Sequence, residues 1–333
     1  LSTRNNASPL ISIITPSFNH GEYLKRTIES VLRQSYPRIE YIIIDGASKD
    51  NSLDIIKSYA DKLAWWVSEP DRGQADAINK GFARASGDII AWLNSDDLYI
   101  ADAVAEAVQA LSDSPQAGMV YGDGILVDHQ DRVLDWHPYR QYDVLDLLSF
   151  NVLLQPAVFM RRKALEQVGH LDHSYNLILD HELWVRIAAN YPIVHVPSYW
   201  AAERTYPEAK TRAMSAEFVE EAYGLIRRAE SDSSLGPLIQ ANKRSIEAAL
   251  ATFAGRRLID AGQYQRSLKY LWQALLRSPS VAVKYWYKYI QALMGFLGME
   301  PLFIGYRNFR RQITHGSTEI VLSEDGMAVH KSE

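Results

Sequence analysis

The sequence predicts an α/β fold built on a mostly parallel sheet flanked by helices, and three observations carry that prediction. Short apolar, β-rich runs at residues 10–14, 41–44, 65–67 and 89–93 alternate with stretches of helical periodicity through residue 112. That alternation is the mark of strand–helix–strand units with right-handed crossovers. Each run ends in polar residues: Thr15 to Asn19, Asp45, Glu69 to Arg72, and Asn94-Ser95-Asp96-Asp97. The fourth run, Ile89-Ile90-Ala91-Trp92-Leu93, is short, bounded by Gly87 and by acids, and reads as a buried strand. Ligands of such sheets bind just beyond the carboxyl ends of the strands, so four polar strand ends on one edge describe a site.

Taken in order, residues 1–9 are polar and expected to fray. After the strand at 10–14, Asn19 and Glu22 have the spacing of a capping box for a helix carrying Leu24, Ile28, Val31 and Leu32. The strand at 41–44 ends in Asp45-Gly46, and Leu53, Ile55 and Ile56 begin a short helix. A helix at 74–85 stops ahead of Gly87. Residues 119–121 open a strand, 125–136 look like a hairpin with Asp131 near its turn, and 143–148 begin a short helix. Residues 155–160 read as a strand in which Pro156 suits an edge. Residues 177–180 lead into a helix, 193–196 form a last strand, and 200–210 a polar, basic loop. From Glu217 the chain is helical. Residues 252–278 look like one tetratricopeptide-type helix pair, and a single copy reads as an appendage rather than a scaffold. Residues 281–306 are rich in Trp, Tyr, Phe and Leu, with Lys284 and Lys288 one turn apart. Two readings stay open there: an amphipathic helix on a membrane surface, or aromatics packed on the rest of the chain or a second subunit. The tail at 314–333 is polar and expected to be mobile.

Composition narrows the function. The 333 residues suffice for one large or two modest domains, and 47% hydrophobic with 23% charged residues is ordinary for a globular protein. A net charge of −5 argues against a nucleic-acid partner. The absence of cysteine removes disulfides, thiolate metal sites and a Cys nucleophile. No signal-peptide core opens the sequence and no apolar run is long enough for a bilayer span. The expected location is therefore cytoplasmic, or peripheral at the inner face of a membrane. Neither G-x-G-x-x-G nor a P-loop occurs, so phosphates here need a metal and side chains. Asp96 and Asp97 repel each other unless something positive lies beside them. A hard divalent cation holding phosphate oxygens meets that need.

With these residues assembled, the chain resembles the family 2 inverting glycosyltransferases of the GT-A fold. The likeness covers residues 10–211. It rests on the order and spacing of Ser12-Ile-Ile-Thr-Pro-Ser-Phe-Asn19, Ile44-Asp-Gly-Ala-Ser-Lys-Asp50, Glu69-Pro-Asp-Arg-Gly-Gln74, Ala77-Ile-Asn-Lys-Gly81, Gly87 to Asp97, Gln155-Pro156 and Asp180-His-Glu-Leu-Trp-Val-Arg186. The resemblance implies a GT-A domain at 1–215, with a nucleotide-sugar half at 10–112 and an acceptor half at 113–211, then a helical extension at 216–313. It implies a nucleoside-diphosphate donor (UDP or dTDP), a glycan or lipid-linked acceptor, Mn²⁺ or Mg²⁺ as cofactor, and a homo-oligomer as one assembly.

Residue by residue, Thr15 and Pro16 match the segment along the nucleoside, and Asp45 and Asp71 match base-binding acids. Arg72 is placed at base or phosphate. Asn94-Ser95-Asp96 matches the D-x-D metal motif with Asn in its first position, leaving Asp96 as metal ligand and Asp97 as helper. Asp180 matches the acceptor-activating base, with Leu179 standing where an acid often precedes it and Glu182 as the fallback. Gln155, Glu182 and Trp184 fall on the acceptor side. The family's terminal R-x-H-x-x-S-K-T reads Arg204-Thr-Tyr-Pro-Glu-Ala-Lys-Thr211 here, so Arg204 and Lys210 remain as diphosphate clamps while Tyr206 replaces the His. Two rivals are a sugar-phosphate nucleotidyltransferase and a non-catalytic helical binding protein. Thr15 to Gly21 carries no Lys or Arg, which weighs against the first, and four acid-bearing strand ends weigh against the second.

Overall fold

Isoleucines at 11, 13 and 14 favour a strand covered on both faces. The computed structural model, which describes residues 8–316, 318–323 and 325–331, places them in β1 (Ile11–Ser17). Most of the segment expected to fray lies outside the described residues. The parallel half runs β1, α1 (Gly21–Leu32), β2 (Ile39–Asp45), α2 (Ser52–Ser58), β3 (Trp65–Ser68), α3 (Gln74–Arg84) and β4 (Ile89–Trp92). The second half runs β5 (Leu98–Tyr99), α4 (Ala103–Asp113), β6 (Met119–Val127), β7 (Val133–His137), α5 (Val144–Leu148), β8 (Val158–Arg161), α6 (Arg162–Val168), α7 (Leu179–Asn190) and β9 (Ile193–Arg204).

The sheet order is β3-β2-β1-β4-β8-β6-β9-β5. β3, β2, β1 and β4 are parallel. β8 pairs antiparallel with both β4 and β6, and β6 pairs parallel with β9. β7 pairs with β6 beyond the end of β8, and Asp131 takes the turn between β6 and β7 with φ +65°. Alternation sorts the side chains. Ile14, Ile42 and Ile44 join a cluster on one face, while Ile13, Tyr41 and Ile43 join α1 and α4 on the other. Trp92 and Trp184 stack at 5.1 Å in the first cluster. Truncating such a buried indole costs about 3–5 kcal/mol.

The helical region contains α8 (Lys210–Ala213), α9 (Phe218–Ala229), α10 (Leu235–Ala241), α11 (Lys243–Asp260), α12 (Tyr264–Arg277), α13 (Pro279–Ala282), α14 (Trp286–Phe296) and α15 (Glu300–His315). Phe218, Leu225, Ile226, Ile239, Leu250 and Phe253 belong to the same cluster as Ile14 and Trp92. One core cluster thus runs across residue 215 and takes in α9 to α11 together with the sheet.

Several local expectations need correction. Asn19 does not cap α1. It takes φ +54° and accepts from Lys49 N, while Asp50 Oδ2 accepts from Gly21 N at 2.8 Å from the next loop. Pro156 sits in a 3₁₀ turn, and the strand after it is central, flanked by β4 and β6. Residues 200–204 continue β9, paired with β5 and β6, so the loop starts later than expected. The tail is ordered where described. β10 (Thr318–Ser323) and β11 (Gly326–Lys331) form a hairpin that buries Ile320 and Met327 against Leu98 and Ile125. Ile320 N donates to Asp131 O, and Ala101 N to Met327 O. Residues 281–306 divide: Tyr289 packs on α11 and α12 with its hydroxyl on Leu271 O, while Trp286, Phe296 and Tyr306, with Leu293 and Leu302, are exposed.

Candidate active site

The parallel strands deliver their carboxyl ends to one edge, where α7, α9, α11 and the end of β9 close a cleft of about 650 Å³. Pro16, Ser17 and Phe18 from the end of β1 form one wall. Asp71 forms part of the floor, held by Gly73 N at 2.8 Å. Two glycines make that possible. Gly73 turns into α3 with φ +114°, and a Cβ on Gly46 would stand 2.5 Å from Asp71 Oδ2. Asp45 ends β2 one layer deeper. It is fully buried and accepts from Ser48 N at 3.0 Å and Ser68 Oγ at 2.6 Å.

The Asn94–Asp97 turn follows β4 into the cleft, and its atoms are tied almost throughout. Asn94 bridges Gln74 Nε2 at 2.9 Å and Asp97 Oδ2 at 3.2 Å. Ser95 Oγ meets His20 Nδ1 at 2.8 Å. Asp97 is buried and accepts from Arg204 N at 3.0 Å. Burial first, then Asp96 and Glu203, push its carboxyl well above the usual carboxylate range. Asp96 is half-buried, and its Oδ2 accepts from Tyr206 OH at 2.8 Å. Tyr206 thus closes on the acid from the position where the resemblance expects a His. Asp96 Oδ1 has no hydrogen-bond partner among the described residues.

No three His, Asp or Glu side chains among the described residues converge as a preformed metal site. The donor set nevertheless fits a weakly held hard cation. One open carboxylate oxygen sits in a crowd of like charges, and diphosphate oxygens complete such a shell in many phosphate-handling sites.

The opposite side of the cleft comes from distant parts of the chain. Asp180, in the first turn of α7, is half-buried and accepts from His181 N at 2.7 Å. Burial pushes its carboxyl up to about 6, against the pull of the His181 and Asp180 N–H groups and of Arg257 and Lys210. Glu203, on β9, is pushed up to about 7 by burial, with Arg257 opposing and Asp180 and Asp96 adding to the rise. Arg257 reaches in from α11, its guanidinium 4.1 Å from the Phe218 ring and 5.3 Å from the Phe253 ring. Lys210 Nζ donates to Asn176 O at 2.6 Å, and burial lowers its pKa. Gln155 donates to Trp92 O at 2.8 Å, while its buried Oε1 has no partner among the described residues.

The structure brings Pro16, Asp71, Asn94, Ser95, Asp96, Asp97, Gln155, Asp180, Arg204 and Lys210 to one cleft. It does not bring the others. Thr15 is buried with its hydroxyl on Tyr41 OH. Arg72 points outward, 77% exposed, and pairs with Asp76 one helical turn on. Glu182 is held by Arg186 through two 2.7 Å bonds and faces away, so it is not a fallback base. Trp184 is fully buried in the core, so it offers no sugar platform. Arg204 lines the cleft yet is 3% exposed. It pairs with Asp131 and donates to Asp96 O at 2.9 Å, which makes it the organiser of the acidic turn. Glu203, Arg257, His20 and Tyr206 line the cleft without having been singled out as site residues. Two had a sequence signal: Tyr206 stands at the motif position of the family's His, and reading 200–204 as strand would have placed Glu203 beside Arg204 at the sheet edge.

The fold is that of the GT-A glycosyltransferases. Staphylococcus aureus TarS 1-349 in complex with UDP-GlcNAc superposes with a TM-score of 0.59 at 15% identity, covering 97% of each chain. The mannosyltransferase PcManGT from Pyrobaculum calidifontis, in complex with GDP-Man and Mn²⁺, superposes with a TM-score of 0.59 at 20% identity, covering 93% of this chain and 87% of that one. Residues 12–169 match Glycosyl transferase family 2. An uncharacterized glycosyltransferase of Mycobacterium tuberculosis is 35% identical over 188 residues, 55% of this chain and 70% of the relative. A PGL/p-HBAD biosynthesis glycosyltransferase of Mycobacterium bovis is 29% identical over 192 residues, 56% of this chain and 73% of the relative. The chain belongs to glycosyl transferase family 2 and is a glycosyltransferase enzyme.

Proposed function

We propose that this glycosyltransferase moves a hexose from a nucleoside diphosphate, UDP or dTDP, to an acceptor hydroxyl with inversion, in the assembly of a bacterial surface polysaccharide or glycoconjugate. The observation that carries the reading is Asp180. It is a cleft carboxylate that accepts from the His181 backbone N–H and from no side chain among the described residues, with a pKa raised to about 6, suited to taking a proton near neutral pH. The nucleobase lies between Phe18 and Asp71, and an imide N–H takes over the Ser68 bond to Asp45. Lys210 steadies the diphosphate. Gln155 Oε1 accepts from a sugar hydroxyl. Asp96, with Asp97 behind it, would hold Mn²⁺ or Mg²⁺, and the cation would supply positive charge against the leaving diphosphate. Asp180 then takes the acceptor proton during a single displacement. The M. bovis relative's name, a PGL/p-HBAD biosynthesis glycosyltransferase, supports a biosynthetic glycosyl transfer, and the donors bound to TarS and PcManGT support a nucleotide sugar.

The test is a thermal-shift series with UDP, dTDP and GDP, each with and without Mn²⁺, followed by a screen of nucleotide sugars for slow hydrolysis without acceptor. UDP or dTDP with Mn²⁺ should raise Tm, and Asp96→Asn should remove the Mn²⁺-dependent part. A preference for triphosphates would favour a nucleotidyltransferase, and indifference to every nucleotide would favour a binding protein.

Peripheral membrane contact belongs to the same proposal. No helix among the described residues is long and apolar enough to cross a membrane. Trp286, Ile290 and Leu293 on α14 and Leu302, Tyr306, Phe309 and Ile313 on α15 form exposed stripes. Residues 281–316 carry five Lys or Arg against one Glu in a chain of net charge −5. That pairing of apolar stripe and positive charge fits an anionic lipid surface. Truncation at 281 would also remove the β10–β11 hairpin, so the test is Trp286→Ser with Phe309→Ser. The pair should lower binding to phosphatidylglycerol vesicles while activity on a soluble acceptor stays. Unchanged vesicle binding with a loss of dimer would favour a second copy of the chain.

A further inference from the structure

Behind the main cleft lies a second cavity of about 300 Å³. The two share Phe150, Val152, Phe253 and Arg257 as a common wall. The remaining lining is polar and aromatic: His137, Tyr139, Tyr142, Asn151, Arg256 and Tyr285, with Asp260 at the rim. Arg256 and Arg257 are adjacent on α11, and both are half-buried. Their guanidinium groups are held by rings, Arg256 at 5.2 Å from Tyr285 and Arg257 at 4.1 Å from Phe218. Neither makes an ion pair or a side-chain hydrogen bond among the described residues. Two cations fixed on aromatic faces with unused donors are poised for an oxyanion. Positive charge gathers there: Arg256 and Arg311 add to the burial that lowers the proton affinity of His137, and Arg256 and Arg307 do the same at Lys288, with Asp135 and Asp260 opposing. On the cleft side, Asp180 and Glu203 face Arg257.

We propose that this second cavity is an acceptor subsite for an oxyanion, a phosphate or carboxylate carried by the acceptor a short distance from its reacting hydroxyl. The inference rests on the glycosyltransferase reading and adds the acceptor's chemistry to it. An acceptor whose hydroxyl lies at Asp180 extends past Arg257, which lines both cavities, and its anionic group meets Arg256 and Arg257 among the tyrosines. Tyr285 and Phe253 cover faces of the two guanidinium groups and leave their edges to the anion. The main cleft takes the donor diphosphate at its other end, so the two anions are kept apart by Asp180 and Glu203.

The experiment titrates the full chain, saturated with UDP and Mn²⁺ to fill the donor end, with inorganic phosphate in one arm and acetate in the other, followed by calorimetry. Arg256→Gln should weaken the binding anion about tenfold, the usual scale for one charge-assisted contact. Arg256→Lys should recover part of it. Asp260→Asn, a change at an exposed rim position, should tighten the same anion about twofold by removing a like charge. Arg277→Gln, which breaks an exposed pair with Glu247 elsewhere on the helices, should change nothing. Phosphate binding with this pattern assigns a phosphate-bearing acceptor, and acetate binding with it assigns a carboxylate-bearing one. If neither anion binds, or binding ignores Arg256 and Asp260, the proposal is overturned. If UDP fails to bind but the Arg256-dependent phosphate signal persists, the donor reading has failed and the oxyanion site stands.

Discussion

The two sides of the cleft are built by opposite means. On the donor side Asp71 is tied by Gly73 and Asp97 by Asn94, neighbours close in sequence, with Asp45 buried behind them on Ser48, and only Asp96 takes its bond from afar, from Tyr206. On the acceptor side Asp180, Glu203 and Arg257 come from α7, β9 and α11 and make no side-chain hydrogen bond to one another. The first arrangement fixes shape, because a carboxylate that accepts several N–H and O–H bonds has little freedom to move. The second buries carboxyl groups without a side-chain partner, and burial raises them to about 6 and about 7 against the pull of Arg257. A binding surface is served by fixed acceptors and a proton-transfer surface by groups whose proton affinity lies near the working pH. On the function proposed above, the difference separates recognition from chemistry within one pocket.

The largest expected effect breaks the acceptor side. Asp180→Asn keeps the side chain's shape and cannot take a proton, so turnover should fall about 10²–10⁴-fold with UDP affinity nearly unchanged. Glu182→Gln should leave turnover near wild type, because Glu182 is bound to Arg186 away from the cleft. A dead Glu182→Gln beside an active Asp180→Asn would reverse the assignment. The pH profile sharpens the same point. Asp180 must be ionised to act, so turnover should rise with pH through about 6. Glu203 is still protonated there, so Glu203→Gln should leave that limb in place.

The donor side should answer with smaller changes, and in binding. Asp71→Asn should raise the donor KM about tenfold, the scale of one charged hydrogen bond, with Tm unchanged. Asp45→Asn should raise the donor KM and lower Tm together, because the same carboxylate holds Ser48 and Ser68 at the ends of β2 and β3. A donor KM indifferent to both substitutions would move the nucleobase elsewhere.

This contrast also explains what the sequence could and could not reveal. The strand–helix alternation through β4 and the Asn94–Asp97 turn were legible, because each rests on residues adjacent in the chain. Asp180 was legible through its motif and its place at a helix start. Glu203 was hidden because 200–204 looks like a basic loop, although it is the end of β9. Arg257 lies in a helix whose role depends on docking against Phe150 and Phe218, which no local pattern encodes. The hairpin at β10 and β11 did have a signal. Ile320-Val321-Leu322 is a short apolar run with β-branched residues, and Asp325-Gly326 is a common hairpin turn. Its polar content outweighed that pattern. Arg72 and Trp184 show the converse error: a motif position was read as a contact, when an ion pair to Asp76 and a stack on Trp92 claim those side chains.

The smallest expected effect is on stability, and its sign follows from proton linkage. In the unfolded chain the Asp180 carboxyl has its ordinary value near 3.8, and in the folded protein burial raises it to about 6. Below pH 4 both states hold the proton and the group costs nothing. Between pH 4 and 6 the unfolded chain loses its proton first, so the native state becomes progressively less favoured. Above pH 6 the deficit is constant. A shift of this size corresponds to about 1–3 kcal/mol at neutral pH. Asn at this position keeps an oxygen for His181 N and carries no charge. Asp180→Asn should therefore be more stable than wild type by about that amount at pH 8 and equal to it near pH 3.5, as read from denaturant melts at each pH. A variant that is less stable at pH 8 would mean that Arg257 and Lys210 hold the carboxylate as a structural ion cluster. The acceptor side would then be tied like the donor side, and the division of labour between them would fail.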